Sequence, residues 1–382
     1  MPPLLTAGFR PFFLAAATWA AASLAVWLSL MAGSIELPSR FDPLTWHIHE
    51  MLFGFVMAAV GGFLLTAIPN WTSRAPVSGT PLLVLVALWL LGRIACLFSA
   101  MLPGWLAPLA DLAFPLALEF VAARELIAAG NKRNYPLLAP VIVLAIANLL
   151  QHLQTLDVAL PAGLGWRLGT AAVIVLISVI GGRITPTFTG NWLTGRGASI
   201  VPAPGGILDR VALGTLHTGL IGWACFPESR LVGVLLLVAG VLNLCRLAGW
   251  RGLATRPEPL LLFLHIGYLW LVAGIALLGL SLLTGTVPTA AAVHALTAGA
   301  MGTMILTVMT RATLGHTGRA LQADAMTIAI YSLVSASAAL RVLAAWNLPA
   351  PVDLLELSGL AWIGAFALFV VKYGPMLLAT RR

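Results

Sequence analysis

Charge is what this 382-residue sequence has least of: Asp, Glu, Lys and Arg together make up only 9% of it. Soluble domains carry about a quarter charged residues, so a water-facing globular surface is excluded. Cysteine is scarce too. Cys96, Cys225 and Cys245 lie far apart inside apolar runs and form no C-x-x-C pair, which argues against a disulfide framework or a thiolate zinc site. The formal charge of +8 contains no basic stripe interleaved with aromatics, so nucleic acid is not an expected partner.

What is present is apolar. Hydrophobic residues make up 60% of the chain and the mean hydropathy is +0.98, the balance of a polytopic membrane protein. Runs long enough to cross a bilayer as helices occur roughly at 11–33, 46–69, 81–100, 104–129, 136–154, 164–184, 208–227, 230–249, 259–283, 288–310, 325–346 and 352–378. The expected fold is therefore all-α, with about twelve transmembrane helices in one integral-membrane domain spanning 1–382. Pro103-Gly104, Gly130-Asn131 and Gly195-Arg196-Gly197 supply the turn chemistry between runs. The longest connection is expected from Thr187 to Ile207, and Arg10 precedes an apolar run too long for a cleavable signal, so the first span is expected to be retained.

Orientation follows from the 21 Lys and Arg residues. With the N-terminus in the cytoplasm, Arg40, Arg167, Arg230 and Arg341 fall outside, Arg93 lies within a span, and the other sixteen fall inside. That bias puts both termini in the cytoplasm. A weak period runs underneath. Spans 1, 5 and 9 open on Pro11, Pro136 and Pro259, and spans 2, 6 and 10 all end in Thr-rich stretches carrying Arg74, Arg183 and Arg311. Three four-helix repeats, at 1–130, 131–255 and 256–382, produce such a pattern.

The chain has seven histidines, most of them in or at the ends of spans. An imidazole in hydrocarbon is costly unless it is paired or bound to a metal, which makes each a candidate functional group. Neutral imidazole is also the commonest protein ligand for haem iron and copper. The densest group is Trp46-His47-Ile48-His49-Glu50-Met51. In the orientation above, His47 and His49 open span 2 on the outer side. His152 lies near the outer end of span 5, and His294 sits one to two turns into span 10 from the same side. Four imidazoles are thus expected in the outer third of the membrane. His217 comes near mid-depth, His265 nearer the cytoplasmic face, and His316 in a cytoplasmic turn; interhelical hydrogen bonding or solvation accounts for these three equally well.

Residues two apart on a helix point about 200° apart. His47 and His49 therefore serve two centres, or one ligates and the other supports it, unless an irregular helix start brings them together. Glu50 either relays protons, accepts a hydrogen bond from a ligating histidine, or stabilises a helix N-terminus. Met301 and Met304 lie below His294, where thioethers suit copper(I) or simply fill the core. Arg93 and Asp111 come to similar depth and are expected to pair, as is Arg341 with Asp353 or Glu356. Glu119, near mid-membrane, has no evident partner. The small residues from Ala298 to Gly302 let either a neighbouring helix or a haem plane approach.

Trp46-His47-x-His49-Glu50-Met51-Leu52-Phe53-Gly54-Phe55, the turn Pro69-Asn70-Trp71-Thr72, Gln151-His152, and the run from His294 through Gly299-Ala300-Met301-Gly302-Thr303-Met304 to Arg311 and Gly315-His316-Thr317-Gly318-Arg319 resemble the NnrS family, and the likeness extends from Gly8-Phe9-Arg10-Pro11 onward. The resemblance implies a bacterial inner-membrane protein of twelve helices that contains haem and copper. It also implies a role in the nitric oxide response, in denitrification and in resistance to nitrosative stress. No C-x-x-C-H motif is present, so the haem would be non-covalent, of b type. The reading that follows is a nitric oxide reductase-like oxidoreductase making nitrous oxide. The alternative is a non-catalytic membrane protein that senses, stores or sequesters nitric oxide or metal. His49 or His294 is the expected axial ligand, with His47 and His152 at or beside a second metal and Glu50 on the proton route. His217 and His265 are further metal candidates, and Arg311, Arg319 or Arg183, facing the cytoplasm, would meet a propionate if a haem reached that leaflet. The partners expected are nitric oxide, the lipid bilayer and a separate electron donor, quinol or a redox protein.

Overall fold

A computed structural model describes residues 2–199, 201–202, 205–347 and 352–380. The described residues form helices and no strand. Twelve long helices follow the apolar runs: α1 (Phe9–Met31), α2 (Pro43–Thr72), α3 (Thr80–Leu97), α4 (Leu106–Ala128), α5 (Lys132–Thr155), α6 (Leu164–Thr194), α7 (Ile207–Cys225), α8 (Arg230–Gly249), α9 (Pro259–Thr284), α10 (Thr289–His316), α11 (Ala325–Ala344) and α12 (Leu354–Leu378). Eleven are long and apolar enough to cross a membrane; α7 is helical but more polar. The chain is a multi-pass membrane protein. Backbone polar groups in hydrocarbon must be satisfied within the segment, and helices do this over every apolar run.

Helix starts are capped as their residues dictate. Asp42 Oδ1 accepts from the Leu44 and Thr45 amides at 3.0 and 3.1 Å ahead of Pro43, and Asp324 Oδ1 accepts from the Thr327 amide at 2.9 Å, the usual N-cap arrangement. Two helices run further than the sequence suggested. α6 continues through Pro186 to Thr194, and α10 continues to His316. The expected long loop from Thr187 thus begins only after Thr194, and His316 closes a helix instead of sitting in a turn.

Three helices share a departure from α geometry. α2, α6 and α10 each contain a π-helical stretch, Glu50–Val56, Ile177–Gly181 and Ala295–Gly302. They are also the most buried: 72%, 67% and 67% of their most apolar window is buried, against 33–56% for the other candidate spans. A π turn releases a carbonyl from the helical ladder and marks functional sites often. Two carbonyls within these stretches accept from side chains, Gly54 O from Trp89 Nε1 at 3.0 Å and Ser178 O from Arg246 Nη1 at 3.1 Å.

The chain divides into two compact units. The first comprises Met1–Ala172, Ala312–Arg319 and Phe366–Arg382; the second comprises Val173–Arg311 and Ala320–Ala365. Within the first unit α1 packs on α2, α3 on α4, and α4 on α5. Arg10, buried at the start of α1, donates from Nη1 to the carbonyls of Leu377 and Ala379 at 2.8 and 2.6 Å, capping the otherwise unsatisfied end of α12. Within the second unit α8 packs on α7 and α9, and α9 and α11 both pack on the π stretch of α10. The small residues of that stretch are covered by indoles: a Cβ on Gly299 would lie 2.7 Å from Trp270, and one on Gly302 2.7 Å from Trp362. A neighbouring helix takes that face.

Candidate metal centre in the first unit

The site is built on four helices. His49 ends the regular part of α2 and Glu50 opens its π stretch. Arg93 and Cys96 lie three apart on α3, hence on one face. Asp111 is on α4, and Asn148 and His152 are one turn apart on α5. All seven are buried; His49 and Glu50 are 0% exposed. Phe41 stacks on His49 with ring centroids 4.7 Å apart and lies 5.3 Å from His152, while Phe53 stands 5.2 Å from His49. Aromatic rings thus keep water from the imidazoles.

The carboxylates bind the cluster together, and of the Arg93 nitrogens only Nε is left without a hydrogen bond. Glu50 Oε1 faces His49 Nδ1 at 3.1 Å, and Glu50 Oε2 accepts from Trp19 Nε1 at 2.7 Å and from Arg93 Nη1 at 2.6 Å. Arg93 Nη2 donates to Asp111 Oδ1, the pair expected from the sequence. Asp111 Oδ2 gathers Asn148 Nδ2 at 2.8 Å, His152 Nε2 at 3.0 Å and His49 Nε2 at 3.1 Å. Asn148 Oδ1 also faces His49 Nε2, at 3.0 Å.

Two consequences follow. Glu50 and Asp111 carry two negative charges against the single positive charge of Arg93, so the buried cluster is one positive charge short of neutral with both imidazoles uncharged. His49, moreover, faces acceptors from both ring nitrogens. A neutral imidazole donates only once. Either a second proton or a cation fills the remaining position.

The geometry suits a cation. One donor atom each from His49, Cys96, Asp111 and His152 lie within 4.8 Å of one another. Donors around a four-coordinate ion with bonds of about 2.0–2.3 Å stand roughly 3.3–3.7 Å apart, a spacing small side-chain shifts reach from here. Two imidazoles, a carboxylate and a thiol form a donor set for zinc or copper, and the Glu50–His49 contact has the form of the carboxylate that orients a ligating histidine.

The fold brings together two of the histidines singled out in the sequence, His49 and His152, with Glu50. His47 points elsewhere and stacks on Trp27, with centroids 4.2 Å apart and planes at 24°. The π stretch begins only after His49, so it does not reunite the two. His316 stacks on Phe9 at 5.4 Å, and Arg319 Nη1 is buried without a hydrogen bond. In the second unit, His294 donates from Nδ1 to the Ala290 carbonyl at 2.7 Å. His217 Nε2 lies 2.9 Å from Ser178 Oγ, and His265 Nε2 lies 2.9 Å from Thr189 Oγ1. Arg311 lies over the Phe188 ring at 4.2 Å. Arg341 makes no salt bridge among the described residues, with Asp353, Glu356 or any other acid.

Residues 3–381 match the family model described as NnrS protein. The chain belongs to the NnrS family. No curated protein shows significant similarity to it. As an NnrS protein it is a membrane protein of the nitric oxide response, and its buried cluster has the donors that could hold a metal ion. Cys96, Asp111 and Asn148 are the site residues that sequence reading missed. The signal was present in the spacing of Asn148 and His152 at i,i+4 and of Arg93 and Cys96 at i,i+3, each pair sharing one helix face.

Gly54 tests how tightly this NnrS centre is built. A Cβ there would lie 2.5 Å from Trp19 Nε1 and 2.8 Å from Glu50 Oε2, so Gly54→Ala must separate the indole from the carboxylate. Overpacking of this kind costs about 1–3 kcal/mol. Thermal unfolding in detergent should show a melting temperature several degrees lower; an unchanged value would remove the close packing of Trp19 over Glu50 from the account.

Proposed function

We propose that this NnrS protein binds a copper ion with His49, Cys96, Asp111 and His152, binds a non-covalent haem through His294, and reduces nitric oxide to nitrous oxide at the bacterial inner membrane with both termini in the cytoplasm. The observation that carries the reading is the buried His49–Glu50–Arg93–Asp111–His152 cluster, which lacks one positive charge and offers a soft, mixed donor set inside a membrane span. Support for His294 comes from its Nδ1–H bond to Ala290 O, which fixes the tautomer and leaves Nε2 free to ligate. Arg311, held over Phe188, and Arg319, with its buried Nη1 unsatisfied, lie roughly 25 Å or more from His294 at the other end of α10, so they would meet a propionate only of a haem placed in the cytoplasmic leaflet.

When bound, haem iron and copper supply the positions at which nitric oxide is held and electrons are passed. The chain's own residues position and protonate. Arg93 fixes Glu50 and Asp111 at once, Glu50 fixes the His49 ring, and Phe41 and Phe53 exclude water. Two nitric oxide molecules, two electrons and two protons yield one nitrous oxide and one water, and the His49–Glu50 contact is the position from which a proton is handed on.

The second reading is a non-catalytic protein that senses, stores or sequesters nitric oxide or metal. It is favoured by the full engagement of the Glu50 and Asp111 oxygens and by the lack of a C-x-x-C-H motif for electron entry. Anaerobic addition of nitric oxide to the metal-loaded protein with excess reductant separates the two. Catalysis predicts continued loss with nitrous oxide at half the molar amount, slowed by Glu50→Gln. Uptake that stops at one equivalent per haem assigns the sequestering role.

A further inference from the structure

A second buried polar network surrounds the π stretch of α6. Arg246, on α8 and 5% exposed, donates from Nε to Asp209 Oδ1 at 2.5 Å, and from Nη1 to the Ser178 carbonyl at 3.1 Å and Tyr268 Oη at 2.5 Å. Tyr268 in turn donates to Asn243 Oδ1 at 2.7 Å. Asp209 neutralises Arg246, so the network is closed in charge and clamps Ser178 from its backbone side.

The side chain of Ser178 sets the state of His217. Its hydroxyl donates to the Val175 carbonyl at 2.8 Å and lies 2.9 Å from His217 Nε2. A hydroxyl has a single proton to give. His217 therefore donates its Nε2–H to Ser178 Oγ, and Nδ1 carries a lone pair. Among the described residues Nδ1 has no hydrogen-bond partner, and the imidazole is partly exposed. The surface there is apolar and, at Gly214, free of a side chain. On the same face of α7, Gly214 has nothing within 4 Å of a Cβ position and Ile221 is 59% exposed. His217 lies ten residues into α7, roughly 15 Å along the helix.

We infer that His217 is the binding residue for a membrane-soluble hydroquinone. An open imidazole lone pair takes a ligand that donates O–H. A position mid-way along α7, whose exposed side chains include Val211 and Ile221, takes one that arrives through lipid, and the absence of a side chain at Gly214 leaves room beside the imidazole for a flat ring. Ser178 is the positioning residue that holds the tautomer. One hydroquinone oxidised to quinone releases the two electrons and two protons that the reduction of two nitric oxide molecules consumes. That use rests on the function proposed above; the binding does not.

The test is calorimetric titration of the full chain, in nanodiscs free of quinone and under argon, with decylubiquinol. One site per chain is expected. His217→Phe and use of the dimethyl ether of the same hydroquinone should each weaken binding about tenfold or more, the loss of one hydrogen bond. Ser178→Ala should weaken it several-fold, because the freed ring can adopt the other tautomer, whereas His152→Ala should bind like the unaltered protein. Equal binding by His217→Phe, or by the ether, overturns the inference. Should His217→Phe fail to fold, the ether comparison on the unaltered protein still decides. Quinol binding by a chain that holds no metal would sink the metal reading alone.

Discussion

Arg93→Leu should remove most of the folded protein. The guanidinium is 2% exposed and is the cation shared by Glu50 Oε2 and Asp111 Oδ1. Without it, two carboxylates remain in a membrane-buried cluster with only the imidazoles to compensate. Breaking a buried ion pair from one side costs about 3–5 kcal/mol, a large share of a typical stability of about 5–15 kcal/mol. Detergent-extracted protein should therefore show a much smaller monodisperse peak on size exclusion and a melting temperature lower by many degrees. The triple variant Arg93→Leu, Glu50→Gln, Asp111→Asn removes the charges together and should recover much of the folded yield. A single variant that folds as well as the unaltered chain would mean that Arg93 is not what balances the cluster.

The second large effect concerns the metal. His152→Ala removes a donor that hydrogen-bonds to the network through Asp111 Oδ2 and meets the His49 ring edge-on but does not touch Arg93, so the ion pair of Arg93 survives and the fold should too. Copper content after purification from copper-supplemented cells should fall from about one ion per chain to background, as should that of Cys96→Ser, since each deletes one donor from a four-donor set. Glu50→Gln weakens the hold on the His49 ring without deleting a donor, and a loss of about 10–100-fold in affinity is expected from a group in that role. His47→Ala, on the far side of α2 against Trp27, should keep its copper. Elemental analysis and chelator competition read all four. Equal copper in His152→Ala and His47→Ala would place the ion elsewhere.

The outcome for α2 shows how far local pattern reaches. Its apolar run, the His47–His49 spacing and the divergence of those two rings were all readable, because they depend on helix period alone. The π stretch starting at Glu50 was not, because it depends on neighbours: Trp89 donates to the Gly54 carbonyl, and Trp19 lies where a side chain on Gly54 would be. α6 and α10 ran past their expected ends for a related reason. Pro186 and the threonines of α10 weaken a sequence reading of helix, yet Thr307 and Thr310 return hydrogen bonds to their own helix at 2.7 and 2.9 Å and the segments stay helical where they are buried.

The sequence alone determined that this chain is an all-helical membrane protein, because the cost of unsatisfied backbone in hydrocarbon leaves an apolar run little choice but a helix; its resemblance to the NnrS family rested on motifs such as Trp46-His47-x-His49-Glu50. It also carried the pairing of Arg93 with Asp111, because two opposite charges at one depth have no cheaper state. Only the tertiary structure decided which histidines share a centre. His49 and Asn148 are 99 residues apart in the chain yet 3.0 Å apart in space. Which face of α2 meets α3, α4 and α5 is set by side-chain packing between helices. That packing selects His49 and His152, adds Cys96 and Asp111, and turns His47 away, through contacts that no periodicity within a single helix records.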